Sequence, residues 1–264
     1  MIDSFIIKKN IFLEQIPPTP LKINSETICI ESAQKALLVE GRKYGHPISF
    51  VQEQNGALIQ NIFPVYKNEC QQISTSSKVE LHLHTETAFH PYKPDYVLLL
   101  CLRGDSNAHT THATIDDIIK QLDKDTIDIL MQDEFLTGVD DSFSNGQKNN
   151  IEFKTSILKY NNYTKEYSIT YDSYSMRGIT LFASHALDQI KKAIYNSVKE
   201  VCLESGDIMV INNNKVIHGR KSFQPRYDGT DRWLQRMLIR KKLPPKEQMN
   251  GHIVMTDFAE FEKQ

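Results

Sequence analysis

The chain carries a histidine and a carboxylate two residues apart, in His84-Thr85-Glu86, at the end of a run that alternates apolar and polar residues. A second histidine stands far downstream in His218-Gly219-Arg220, and Arg232 follows it. Strand side chains alternate with period 2, so His84 and Glu86 are expected to share one face. A histidine from a distant strand would complete two imidazoles and one carboxylate. Such a set leaves three positions of an octahedral metal open, the arrangement used in non-haem Fe(II) oxygen chemistry. Arg232 could then hold the carboxylate of a chelating co-substrate. Alone, His-x-Glu is a weak pattern in a chain with nine histidines, and a polar-alternating surface strand produces it too. His82 and His90 are rival ligands on local spacing: His82 shares a face with His84, and His90 stands beyond the strand end, before Pro91. No cysteine lies nearby, which disfavours a structural zinc site.

The elements that must position these residues read as one domain over residues 1–264, a β-core with helices packed outside. Residues 31–44 have a helical pattern with a stop at Gly45. A strand is expected at 48–51, and Asn55-Gly56 reads as a two-residue hairpin turn leading into 57–65. In 79–84, Val79, Leu81 and Leu83 take one face and Glu80, His82 and His84 the other. Residues 95–103 form a buried strand, and short helices fit 114–122 and 125–132, each behind a capping-type residue. Residues 137–150 are polar and read as a loop, either a mobile lid or plain surface. Further strands are expected at 151–158, 166–171, 208–211 and 232–240, with the longest helix at 184–203.

A net charge of −2 argues against a broad nucleic-acid footprint. The longest apolar run, 96–102, is too short to span a bilayer, and residues 1–10 do not read as a signal peptide. Four dispersed cysteines, Cys29, Cys70, Cys101 and Cys202, fit scattered thiols in a reducing cytoplasm.

Two longer segments sharpen the reading. One runs His84-Thr85-Glu86-Thr87-Ala88-Phe89-His90-Pro91-Tyr92 and on through Asp95 to Arg103. The other runs Gly206-Asp207-Ile208-Met209-Val210-Ile211-Asn212-Asn213, then His218-Gly219-Arg220, then Asp228 to Arg236. Together they resemble the clavaminate synthase-like branch of the Fe(II)/2-oxoglutarate oxygenases, closely over 70–115 and 205–240. The resemblance implies a mainly β fold with flanking helices around a double-stranded β-helix (jelly-roll, cupin-like) core. It implies Fe(II) held by His84, Glu86 and His218, with 2-oxoglutarate and O2 as co-substrates. It gives Arg232 the distal carboxylate of 2-oxoglutarate, a bidentate task suited to a guanidinium. A threonine hydroxyl from a loop after the strand ending at Arg103 is expected beside it: Thr110, with Thr111 the alternative and a helix-leading cap the structural reading. A related subgroup, the carrier-free amino-acid halogenases, shares the Ala88-Phe89-His90-Pro91-Tyr92-Lys93-Pro94 segment, but a small residue replaces the carboxylate ligand there. This chain keeps Glu86, so hydroxylation is the expected outcome.

The same resemblance gives Arg236 the α-carboxylate of a free amino acid, Asp172 its polar end, and Ser74 a share of the pocket wall. Two of them have a structural alternative: a surface strand arginine for Arg236, and a turn former for Asp172. Relatives that use arginine have a second acid where this chain has Tyr174, which suits a single ammonium better. Lysine is the first candidate, then ornithine or arginine. Another small carboxylate, a sulfonate or a biosynthetic intermediate is the alternative substrate, and a non-catalytic metal-binding β-barrel the alternative class. The Arg232 clamp speaks against that last reading, since storage needs no oxo-acid site. Trp233 is expected on the face opposite Arg232, in a packing role.

Overall fold

The run Tyr-Val-Leu-Leu-Leu-Cys-Leu-Arg has no polar face until its last residue, which requires cover on both sides. In the computed structural model it is the strand at the middle of the larger of two facing sheets. The structure describes residues 4–23, 30–143 and 151–256. In chain order β1 (Phe5–Lys8), α1 (Glu31–Gly41), β2 (His46–Phe50), β3 (Gln60–Ile62), β4 (Leu81–His84), β5 (Tyr96–Arg103) and β6 (Thr110–Thr114) form the first half. Next come α2 (Ile115–Ile119), α3 (Lys124–Leu130), β7 (Phe135–Gly138), β8 (Glu152–Thr155), β9 (Leu158–Asn161), β10 (Glu166–Ile169), β11 (Arg177–Gly178) and α4 (Leu181–Ser197). The chain closes with β12 (Lys199–Val201), β13 (Ile208–Asn212), β14 (Val216–Arg220), β15 (Trp233–Arg240), β16 (Met249–Asn250) and β17 (Ile253–Val254).

The larger sheet runs β1-β13-β5-β15-β2-β17-β16, with β3 also on β15. The smaller runs β12-β6-β14-β4 and is antiparallel throughout. Between the sheets Leu99, Cys101, Met209, Ile211 and Leu234 meet Val216. On the outer face of the larger sheet Leu98, Leu100, Val210 and Trp233 take the α1 side chains Ala33 and Leu37. The helices α2, α3 and α4 cover Ala113 and Ile217 on the outer face of the smaller sheet. Each fully buried Leu or Ile contributes about 1.5–3 kcal/mol. Among the described residues no helix is long and apolar enough to cross a membrane.

Several expected elements are corrected. Asn55-Gly56 makes no hairpin: β2 and β3 both pair with β15, end to end. Gln54 and Asn55 take positive φ in a 3-10 turn, and the Gln54 amide bonds both backbone groups of Asn61, which extends the connection. The first helix ends at Gly41, before Gly45. The long helix starts at Leu181, capped by the Thr180 hydroxyl on the Ala183 N–H, and stops at Ser197. Val198 is already extended, and β12 pairs with β6 as an edge strand. The expected strand over 151–158 is two, broken at Ser156-Ile157. Of the expected loop 137–150, residues 137 and 138 close β7, and 144–150 lie outside the described residues. Trp233 lies on the outer face as expected, edge-on to Phe63, with its indole N–H on Asn61 Oδ1 at 2.9 Å. Cys70, Cys101 and Cys202 are free thiols, and Cys29 lies outside the described residues.

Candidate metal centre and substrate pocket

β4 and β14 are neighbours in the smaller sheet, and His84 is the register partner of His218. Gly219 permits this approach, because a Cβ there would stand 2.5 Å from the Leu81 carbonyl oxygen. The two imidazoles lie 4.7 Å apart, centroid to centroid. Glu86 reaches them from outside the strand, which corrects the expectation of a shared strand face: β4 ends at His84, and Thr87 turns the chain with φ 50°. Asn213, fully buried, fixes the turn. Its Oδ1 accepts the Glu86 N–H at 2.7 Å, and its Nδ2 donates to the Glu86 and Pro94 carbonyls.

One donor atom from each of His84, Glu86 and His218 lies within 4.8 Å of the others. Glu86 Oε2 faces His218 Nε2 at 3.6 Å. His84 Nδ1–H donates to the His82 carbonyl at 2.7 Å, which leaves Nε2 as the free ring nitrogen. Burial lowers the His218 pKa and so favours the neutral ring. Burial opposes ionisation of Glu86, but Arg236 and then His218 outweigh it and hold the carboxyl below its usual range. This is a donor set suited to a divalent metal. The rival His82 is exposed and edge-on to Tyr174, and His90 is buried with Nδ1 on the Tyr92 N–H; neither joins the cluster.

Arg232, just before β15, and Arg236, on β15, differ in their partners. Arg236 is enclosed by acceptors: Nη1 on Glu86 Oε1 at 2.6 Å, Nη2 on Glu53 Oε1 at 2.7 Å, and Nε on Gln60 Oε1 at 2.9 Å. Nη2 also meets Gln60 Oε1, so one Nη1 hydrogen has no partner among the described residues. The expected surface-strand alternative for Arg236 is therefore excluded. Arg232 is also buried, yet its one hydrogen bond among the described residues is from Nη2 to Thr110 Oγ1, at 3.1 Å. No carboxylate pairs with it among the described residues, and burial lowers its pKa. A buried guanidinium without a counter-ion is costly, and an incoming carboxylate relieves it. The site thus fits an oxo acid as well as a metal. Thr110 lies on β6 rather than in a loop, and it lines the pocket where Thr111 does not. The helix-leading cap is Thr114.

The pocket over the cluster is walled by Ile62, Leu99, Val139 and Leu234 among apolar residues, and by Ser74, Asp140 and Asp172 among polar ones. Asp172 is built into its own turn: Oδ1 accepts from Tyr174 and Ser175 N–H, and Oδ2 from Ser175 Oγ at 2.8 Å. Asp172 is therefore the turn former of its structural alternative, and it also lines the pocket. Ser74 is half-buried at the rim. Arg220 holds the wall segment beneath it, through Ser76 O at 2.8 Å, Ser76 Oγ at 2.9 Å and Val79 O at 3.1 Å. The sequence reading missed Glu53, Gln60 and Asp140. Glu53 and Gln60 carry no local signal, because their significance is their contact with Arg236. Asp140 lies in the polar segment that reads equally as lid or surface. Burial, then Asp172, Glu86 and Glu53, push its carboxyl well above the usual range.

The family described as taurine catabolism dioxygenase TauD, TfdA matches residues 33–238, which includes every residue of the cluster and both arginines. The chain belongs to that dioxygenase family. Among family relatives, it is 31% identical over 229 residues to an L-lysine 3-hydroxylase of Catenulispora acidiphila, covering 86% of this chain and 64% of that protein. It is 33% identical over 227 residues to an L-asparagine oxygenase of Streptomyces coelicolor, covering 85% and 66%. The chain thus spans just under two thirds of the length of these curated relatives. Among solved structures, asparagine oxygenase with Fe(II), hydroxyasparagine and succinate superposes with TM-score 0.86 at 29% identity, covering 96% of this chain and 80% of that one. The non-haem iron oxygenase OrfP with Fe, succinate and (3S)-hydroxy-L-Arg gives TM-score 0.85 at 26% identity, covering 95% and 82%. OrfP has also been solved with Fe and alpha-ketoglutaric acid.

Proposed function

We propose that the protein hydroxylates an unactivated C–H bond of a free amino acid, using Fe(II), 2-oxoglutarate and O2, within one double-stranded β-helix domain in the cytoplasm. The observation that carries the reading is the pairing, in one pocket, of the His84–Glu86–His218 cluster with a buried Arg232 that has no carboxylate partner among the described residues. Iron bound there with 2-oxoglutarate supplies oxygen insertion into a C–H bond, with succinate and CO2 as co-products. His84, Glu86 and His218 are its ligands. Arg232 and the Thr110 hydroxyl hold the distal carboxylate of 2-oxoglutarate. Glu86 keeps its orientation because Arg236 grips one oxygen and Asn213 its backbone. Leu99, Leu234 and Val139 exclude water from the reacting carbon.

The opposite charges of Glu53 and Arg236 on one wall suit the zwitterion of an amino acid. Glu53 takes the ammonium, and the uncommitted Nη1–H of Arg236 takes the carboxylate. Asp172 and Asp140 receive the far end of the side chain, with Ser74 at the rim. A lysine ammonium would hold Asp140 ionised among its acidic neighbours, which favours lysine, then ornithine or arginine. One observation favours a second reading. A protonated Asp140 could pair with a side-chain amide, and a relative at 33% identity is an asparagine oxygenase. Incubation with Fe(II), 2-oxoglutarate and each of lysine, ornithine, arginine and asparagine tests both. Succinate release coupled to a one-oxygen mass gain on lysine is expected; coupling to asparagine alone selects the second reading, and coupling to none rejects the function.

A further inference from the structure

Three imidazoles stand abreast across the smaller sheet. His84 on β4 is the register partner of His218 on β14, and His218 is the register partner of His112 on β6. Directly opposed residues project to the same side of a sheet. On β14, Val216 joins the cluster between the two sheets, while Ile217 packs under the helices with Ala113 of β6. His112 therefore points inward, like His218, and its ring meets Phe5 edge-on at 4.3 Å. His84 and His218 belong to the donor cluster and His112 does not.

His218 presents Nε2 to Glu86, so its ring proton must sit on Nδ1 when Nε2 serves as a ligand. That Nδ1 is buried and has no hydrogen-bond partner among the described residues, and the same is true of His112 Nδ1. The two residues are only 6% and 4% exposed. A buried polar atom left unpaired costs about 1–3 kcal/mol. Ligating histidines as a rule pass their second N–H to an acceptor, which fixes the ring and raises its basicity. Two such nitrogens on neighbouring, same-facing residues can be satisfied by one enclosed water between them. Burial, reinforced by Lys199 and His218, lowers the His112 pKa, so its ring is neutral and can accept.

We propose that His112 is a positioning residue for the metal centre, holding the Nδ1–H of His218 through one enclosed water. The proposal rests on the reading of His218 as a ligand. The water accepts from His218 Nδ1–H and donates to His112 Nδ1, which assigns His112 the Nε2–H tautomer. His218 is then held from both sides, by the metal and by the neighbouring strand.

Two measurements test this. In the wild-type protein with 15N-labelled histidine and Zn(II), long-range nitrogen–proton NMR reads each ring directly. An exchange-protected Nδ1–H on His218 and an unprotonated Nδ1 on His112 are expected; a protonated Nδ1 on His112 overturns the proposal. The second measurement is Co(II) affinity, followed by the metal's ligand-field absorption without turnover. His112→Leu should bind Co(II) about tenfold to hundredfold more weakly, while His112→Asn, whose Oδ1 replaces the acceptor, should stay within about threefold of wild type. Equal losses in both variants, or a loss under about twofold in His112→Leu, overturn it. His218→Ala is the reference arm. If it binds Co(II) like the wild type, the ligand reading itself fails; if only the His112 arms are flat, the failure is confined to His112.

Discussion

Arg232 and Arg236 both line the pocket from the same chain segment, yet among the described residues Arg236 is paired with two carboxylates and Arg232 with none. The contrast divides their work. Arg232→Ala should raise the KM for 2-oxoglutarate by a factor corresponding to about 2–5 kcal/mol, the usual loss for one partner of a desolvated charge pair. Steady-state kinetics with the metal saturating checks this; an unchanged KM for 2-oxoglutarate contradicts it.

Arg236→Ala removes the counter-charge of both Glu53 and Glu86. Breaking a buried pair in this way costs about 3–5 kcal/mol. The variant should therefore lose amino-acid affinity, metal affinity and thermal stability together. An effect confined to 2-oxoglutarate would show that Arg236 is misassigned.

Asn213→Ala should behave as a metal-site variant although the side chain is no ligand. It leaves the Glu86 N–H and two carbonyls without their partner, each a buried group. Lower Co(II) affinity with a modest fall in melting temperature is expected, and unchanged Co(II) affinity contradicts the role.

How much of this was legible beforehand depends on the range of the contacts. The strand ending at His84, the buried strand 95–103 and the last strand followed from alternation and apolar runs. The register of His84 against His218 did not, because pairing between distant strands leaves no local trace. Glu86 joins the cluster from a turn held by Asn213, not from the strand face that alternation implies. The Asn55-Gly56 signal was overridden by β15, which offered both flanking segments an edge. Glu53 entered the site only through Arg236, a contact no spacing rule anticipates.

The pH dependence of stability has a defined sign at Lys93. Burial lowers its pKa from 10.5 to about 8, with Lys159 and Arg240 adding to the effect. Between those values the unfolded chain binds more protons than the folded one, so stability rises with pH through the window. Lys93→Met should flatten that rise in chemical unfolding curves measured from pH 8 to 10; an unchanged slope contradicts the assignment.

Under the proposed function, the Glu86 carboxylate is what directs the reaction to hydroxylation rather than halogenation. In Glu86→Gly the vacated position lies beside the Arg236 guanidinium, which favours chloride. The variant with Fe(II) and 2-oxoglutarate should bind chloride. Wild type should give no chlorinated amino acid even in high chloride, and a chlorine isotope pattern in its product would overturn the role of Glu86.

The most direct test of the central claim is succinate formation coupled to amino-acid oxidation, in wild type, His84→Ala and His218→Ala, with folding verified by circular dichroism. Wild type should require Fe(II), 2-oxoglutarate and O2 and add one oxygen atom to the amino acid, and both variants should be folded and inactive. Retention of more than about a few per cent of activity in both variants, well short of the loss expected when a ligand is removed, would contradict the account.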